Sequence, residues 1–174
     1  MPYSRSASRF IILALCAAGI AACATSPSAV DAISQPLLLG MQLSERQAER
    51  VGAASSAHNA CIQALTPSAF YKVVEEVMSA ALTPEQIATT NLFFNTPAGR
   101  KYLKYDLLRS YLAVGEKPPE APPEFSDAEV KDVRAFAATS AGSALITRKV
   151  MLSQSAQKAY ESRVVELNEA CNAQ

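Results

Sequence analysis

A pattern spread over 23 residues recurs in this chain, 43 positions on, and it restricts the fold more than any other feature. Leu82–Lys104 aligns without gaps on Phe125–Thr147: Thr83 meets Ser126, Ile87 meets Val130, and Phe93 meets Phe136. Thr96 meets Thr139, Ala98 meets Ala141, Gly99 meets Gly142 and Leu103 meets Ile146. Each copy reads as a short capped helix with an aromatic near its end, then a Thr cap, then a longer helix with Gly in its first turn. Glycine inside a helix costs about 1 kcal/mol relative to alanine. Its recurrence implies close approach of another backbone or ring, and Phe93 and Phe136 are the expected neighbours. The spacing therefore predicts two helix-turn-helix hairpins, in repeat units of about 82–114 and 125–171.

Helix starts recur along the rest of the chain. Thr66-Pro67, Thr83-Pro84 and Thr96-Pro97 place a good N-cap before a residue suited to the first helical position. Ser44–Gln47, Thr83–Gln86 and Ser126–Glu129 also read as capping boxes. Helical spacing puts Val51, Ala54, His58, Cys61 and Leu65 on one stripe, and Phe70, Val73, Val74, Val77 and Met78 on a second. A last helix would carry Leu152, Ala156, Tyr160, Val164, Leu167 and Cys171 on one face. Strand alternation is nearly absent. The expectation is an all-α helical bundle built around the two hairpins, with a preceding helix pair packed on them and a single domain over 31–174. Between the copies, Gly115–Pro123 is Pro-rich and reads as an extended, semi-rigid connector. A proline-recognition ligand is the alternative there.

The N-terminus is a targeting segment. Arg5 and Arg9 precede an apolar run from Phe10 to Ile20, which suits a signal-peptide core and falls short of the roughly 18 residues a membrane span needs. The run ends Ile20-Ala21-Ala22-Cys23, which resembles the bacterial lipobox. That resemblance implies a signal peptide over 1–22, cleavage before Cys23, diacylglycerol on the Cys23 sulfur and acylation of its amino group. A lipidated tether, 23–30, would follow. Two or more acyl chains hold a protein stably on a membrane without spanning it. Ala24 in place of Asp favours the outer membrane, facing the periplasm, if the cell has one.

Cleavage would remove 22 of 174 residues and leave 152, enough for one domain with a true core. Loss of Arg5 and Arg9 leaves 14 basic residues against 16 acidic ones, and this near-neutral balance argues against a nucleic-acid partner. Of the four cysteines, Cys16 leaves with the signal and Cys23 takes the lipid, so Cys61 and Cys171 remain in an oxidising compartment. A disulfide between them is the simplest reading. The competing one starts from His58, the only histidine, three residues before Cys61. Even with Cys171 recruited, such a metal site lacks its fourth ligand, and a thiol nucleophile would have to resist oxidation. Glu75 and Glu76 point to different faces of a helix, and Glu45 and Glu49 alternate with Arg46 and Arg50. No cofactor, metal or catalytic constellation is expected, and an enzyme is the least favoured class.

Thr83-Pro84-Glu85, the pair Phe93-Phe94, and Thr96 followed by Gly99-Arg100 together resemble the bacterial family called domain of unknown function 2059. The match covers about a fifth of the mature chain. The second copy departs from it, with Ser143 where the basic residue would stand. The family is helical, exported and of unassigned activity, so the resemblance implies fold and location and adds no reaction. Arg100, Lys101 and Lys104 are the residues with no easy structural role, because cations early in a helix oppose its dipole. They are candidates to meet lipid headgroups, peptidoglycan carboxylates or an acidic envelope protein, or simply to cover apolar surface with their stems. The expected function is a non-catalytic interaction or structural module of the envelope. The alternative is an apolar-ligand or lipid-binding domain, which a contiguous cavity beside Phe93 and Phe136 would favour over a filled core.

Overall fold

Among the described residues, the long segments between turns and the proline connector are helical. A computed structural model describes residues 28–173. The signal segment, Cys23 and most of the tether lie outside the described residues. Among these residues there are eight α-helices and no strand: α1 Ala29–Arg50, α2 Ser56–Ala64, α3 Tyr71–Ala81, α4 Pro84–Phe94, α5 Pro97–Ala113, α6 Asp127–Ala137, the single turn α7 Ser140–Gly142, and α8 Gln154–Asn172. The all-α bundle is as expected.

The two copies face each other. Helix α4 packs on α7 and α5 packs on α6, so each copy's first helix meets the other's second. Such reciprocal exchange is what a local twofold axis generates. The equivalent residues Phe93 and Phe136 stack across it, ring centroids 4.0 Å apart and planes within 5°. Around them lie α1, whose buried Leu38, Met41 and Leu43 face inward, and α8, buried through Ala156, Tyr160, Leu167 and Cys171. Helix α3 contributes Val74 and Met78, preceded by Phe70 from a 3-10 turn, as the spacing of that stripe implied.

The hinge inside each copy is made of three residues. The carbonyl of Phe93 accepts hydrogen bonds from the amide and the hydroxyl of Thr96, at 2.9 and 2.8 Å. The same hydroxyl accepts from the amide of Gly99 at 2.9 Å. The second copy repeats the pattern with Phe136, Thr139 and Gly142 at 2.9, 2.7 and 3.0 Å. One threonine thus closes the end of one helix and caps the start of the next. A Cβ on Gly99 or Gly142 would lie 1.9 Å from the phenylalanine carbonyl oxygen. The close approach expected at these glycines is therefore to the phenylalanine backbone, while the rings pack on each other.

Four expectations are corrected. Ser44 does not start a helix: it lies exposed inside α1, which runs on because Met41 and Leu43 are drawn into the core. The stripe from Val51 to Leu65 is interrupted. Gly52, at φ 74°, ends α1, and Ala53 donates back to Ala48, a helix-ending pattern that leaves Val51 69% exposed. Thr66 makes no cap, since its hydroxyl bonds Ser68 instead and a 3-10 turn follows. The folded region also begins before residue 31. Ser28 and Asp31 form a capping box and Ala29 is buried, so the tether's last residues belong to the domain.

The second copy departs from the first after its hinge. The long helix expected after Thr139 is instead the one turn of α7, a π-helical segment Ser143–Thr147, and then a break. Lys149 takes the left-handed conformation, φ 50° and ψ 44°, and a 3-10 turn Val150–Leu152 follows. Ser153 then caps α8 as a new helix. Ile146-Thr147, both β-branched, stand where the first copy has Leu103-Lys104, and branching at Cβ crowds the preceding turn. Leu152 consequently falls off the face of α8 and is 59% exposed.

Candidate functional site

The interrupted part of the second copy lines a cavity. The π-helical segment supplies Leu145 and Ile146 as one wall, and Lys149 and Met151 follow beyond the break. The first two turns of α1 form the opposite wall through Ala32, Ile33, Pro36 and Leu37. Between them, Phe94, Phe136 and Tyr102 close one side and Tyr160 of α8 the other. The volume of this half-open cavity is about 500 Å³, within the range of roughly 300–1,000 Å³ typical of small-molecule sites. The lining is mainly apolar.

A few polar groups converge on it. Asp106 of α5 and Lys149 both line the cavity and are solvent-exposed, so they stand at its mouth. Apolar surroundings push the Asp106 carboxyl above its usual range, against the opposing pull of Arg109. Tyr160 is 7% exposed, its hydroxyl has no partner, and burial pushes that phenol up to about 12. Burial likewise raises Tyr102, with a smaller contribution from Asp106. Pro36 has no N–H to give the carbonyl of Ala32 four residues back, so the α1 wall carries a backbone acceptor without its helical donor. Tyr102 also borders a second, shallower apolar hollow of about 340 Å³ with Tyr105, Phe125 and Val133.

The residues singled out from sequence fall elsewhere. Cys61 of α2 and Cys171 of α8 are bonded, with Cα atoms 5.7 Å apart. His58, beside them, meets Asn168 at 3.1 Å and Glu45 at 3.4 Å, and so bridges α1, α2 and α8. Among the described residues no group of three or more His, Cys, Asp or Glu side chains could hold a metal ion, and no helix is long and apolar enough to cross a membrane. Cys23 lies outside the described residues.

Arg100, Lys101 and Lys104 have internal partners. Arg100 donates to the carbonyl of Asn95 at 2.7 Å, so its charge sits at the C-terminal end of α4, where a cation is favourable. Lys101 reaches Glu129 of the second copy at 2.6 Å and the Glu124 carbonyl at 3.1 Å. Lys104 pairs with Glu120 at 2.8 Å. Glu116 is held by Arg50 at 2.8 Å, with Arg46 at 3.9 Å. Lys101 and Lys104, with Arg46 and Arg50 of α1, thus strap the proline connector to the bundle, while Arg100 closes the end of α4.

Sequence reasoning missed Pro36, Asp106, Lys149 and Tyr160 as a set. Two of them left a signal: a proline within an apolar run, and a carboxylate between apolar neighbours. No family model, curated protein or solved structure matches the chain. The resemblance to domain of unknown function 2059 therefore stands on its motif residues alone.

Proposed function

We propose that this chain is an envelope lipoprotein, anchored through acyl chains on Cys23 and facing the periplasm, whose helical domain binds an apolar or lipid-like ligand. The observation that carries the binding function is the cavity of about 500 Å³ between α1, α5 and the broken second copy. It borders Phe136, as the ligand-binding alternative required, although Phe94 and not Phe93 lines it from the first copy. The anchor rests on the lipobox residues. A domain held at a bilayer surface meets lipids as its most abundant apolar solutes, which fits an apolar site with a polar mouth.

The cavity's origin favours this reading over a purely structural module. A filled core would need only the continuous helix that the first copy already has. In the second copy the helix is replaced by a π-helical segment and a non-glycine residue in the left-handed region. Both features recur at functional sites, and the backbone strain must be held by the surrounding structure. The engagement of Lys101 and Lys104 within the chain also removes the main motive for a partner-binding face there.

The test is photolabelling of the full mature protein with a diazirine-bearing alkyl probe. Cross-links should map to Leu145–Met151, and Leu145→Trp, which puts a bulky ring into the cavity, should sharply reduce them. Labelling spread over the surface and indifferent to that substitution would defeat the reading.

A further inference from the structure

Two opposite charges line the cavity without being locked into ion pairs, although Arg109 acts on one of them from the next turn of α5. Asp106 and Lys149 both line the opening. Among the described residues neither has an ion-pair partner within 4.0 Å, and they do not pair with each other. They therefore line the same cavity with their charged atoms more than 4.0 Å apart. This contrasts with nearby Lys101, Lys104, Glu116 and Glu120, each of which has found a partner.

Lys149 is also placed there by an unusual backbone. It is the one non-glycine residue with positive φ among the described residues. An ordinary side chain in that region costs free energy, and glycine would relieve it. A second polar feature lies deeper, where the carbonyl of Ala32 lacks the donor that Pro36 cannot supply.

On the reading that the cavity binds a lipid-like molecule, we infer that its ligand is a zwitterionic amphiphile: an alkyl chain in the cavity, with an ammonium against Asp106 and a phosphate against Lys149. The fit is one of charge. An anionic amphiphile would satisfy Lys149 and meet repulsion from Asp106. A cationic one would do the reverse, and an uncharged one would leave both charges unused. A head carrying both signs satisfies both, while the chain takes the apolar walls. Zwitterionic phospholipid is the source this chemistry points to, since an anchored domain lies against it.

The experiment uses the full mature chain in micelles of an uncharged detergent, with four dodecyl diazirine probes that differ only in the head. The heads are phosphoethanolamine, methyl phosphate, trimethylammonium and a glycol. The readout is the concentration at which labelling of Leu145–Met151 is half complete. The phosphoethanolamine probe should act at about tenfold lower concentration than the glycol probe, the scale of a charge-assisted contact at a partly exposed site. Added salt should shrink that margin. Asp106→Asn should bring the zwitterion level with the methyl phosphate probe, and Lys149→Gln should bring it level with the trimethylammonium probe. Both side chains are exposed, so neither change threatens the fold. Equal labelling by zwitterionic and glycol probes, or a preference that survives both substitutions, would overturn the inference and leave apolar binding intact. If no probe labels Leu145–Met151, the cavity reading itself falls, and this inference with it.

Discussion

Phe93 and Phe136, equivalent residues of the two repeat copies, stack on each other with ring centroids 4.0 Å apart. A residue and its repeat image can touch in this way only near the axis that relates the copies. The pair therefore marks the centre of the bundle, and the carbonyls of the same two residues anchor the hinges on either side of it. Truncating either ring would remove both its burial and the stacking. Phe93→Ala or Phe136→Ala should each destabilise the protein by about 3–5 kcal/mol, measured by urea unfolding.

The hinge glycines should be still less forgiving for their size. Gly99→Ala adds a single methyl group, yet the new Cβ would lie 1.9 Å from the Phe93 carbonyl oxygen. Backbone must move to admit it, so the usual gain in helix propensity is reversed. A loss of at least about 1–3 kcal/mol is expected, and the same for Gly142→Ala. Gly40→Ala, inside α1 with open space around its Cβ position, is the control and should be neutral or stabilising.

The Cys61–Cys171 bond closes a segment spanning 110 positions and ties α2 to α8. In the chain-entropy account this constrains the unfolded state by up to about 4–5 kcal/mol. Oxidised protein should migrate faster than reduced protein on a denaturing gel, and reduction should lower the unfolding midpoint. Two titratable thiols in the purified protein, beyond any on Cys23, would contradict the pairing.

Acid should loosen the contact between the copies. Hydrogen bonding from Lys101 and from the cap at Ser126 holds the Glu129 carboxyl at about 2, against an ordinary value of 4.5. The unfolded chain thus binds a proton that the folded chain refuses between those two values. The contribution is complete above about pH 4.5 and is lost as pH falls toward about 2. Stability measured across that window should fall less steeply in Glu129→Gln than in the wild type. An unchanged slope would show that other carboxylates dominate acid unfolding.

The bundle was legible in sequence because its signals are local. Thr96 and Thr139 cap the helices they precede, and Ser126 and Thr83 form the boxes their spacing implies. The disulfide was legible because, once Cys16 and Cys23 are assigned to the signal segment and its lipobox, the cysteine arithmetic leaves one pairing. Ser44 and Thr66 misled because the same residue types occur where tertiary packing overrides a cap. The cavity could not be read in advance. It depends on the second copy ceasing to be α-helical after Gly142, and the aligned copies gave no reason to expect a left-handed Lys149. Its polar groups come from α1, α5, α8 and that break, and only the fold brings them together. The cations were legible as an anomaly, but their partners lie up to 28 residues away across the connector.

The proposed function requires that the cavity hold a lipid-like molecule. The most direct measurement is organic extraction of the purified full mature protein, followed by mass spectrometry of what is released. Acyl chains on Cys23, where the proposed anchor is present, would be covalently bound and would stay with the protein in such an extraction. Wild-type protein should release a lipid in near-equimolar amount, and Leu145→Trp protein of equal stability should release little or none. The same trace of lipid from both proteins would contradict the claim.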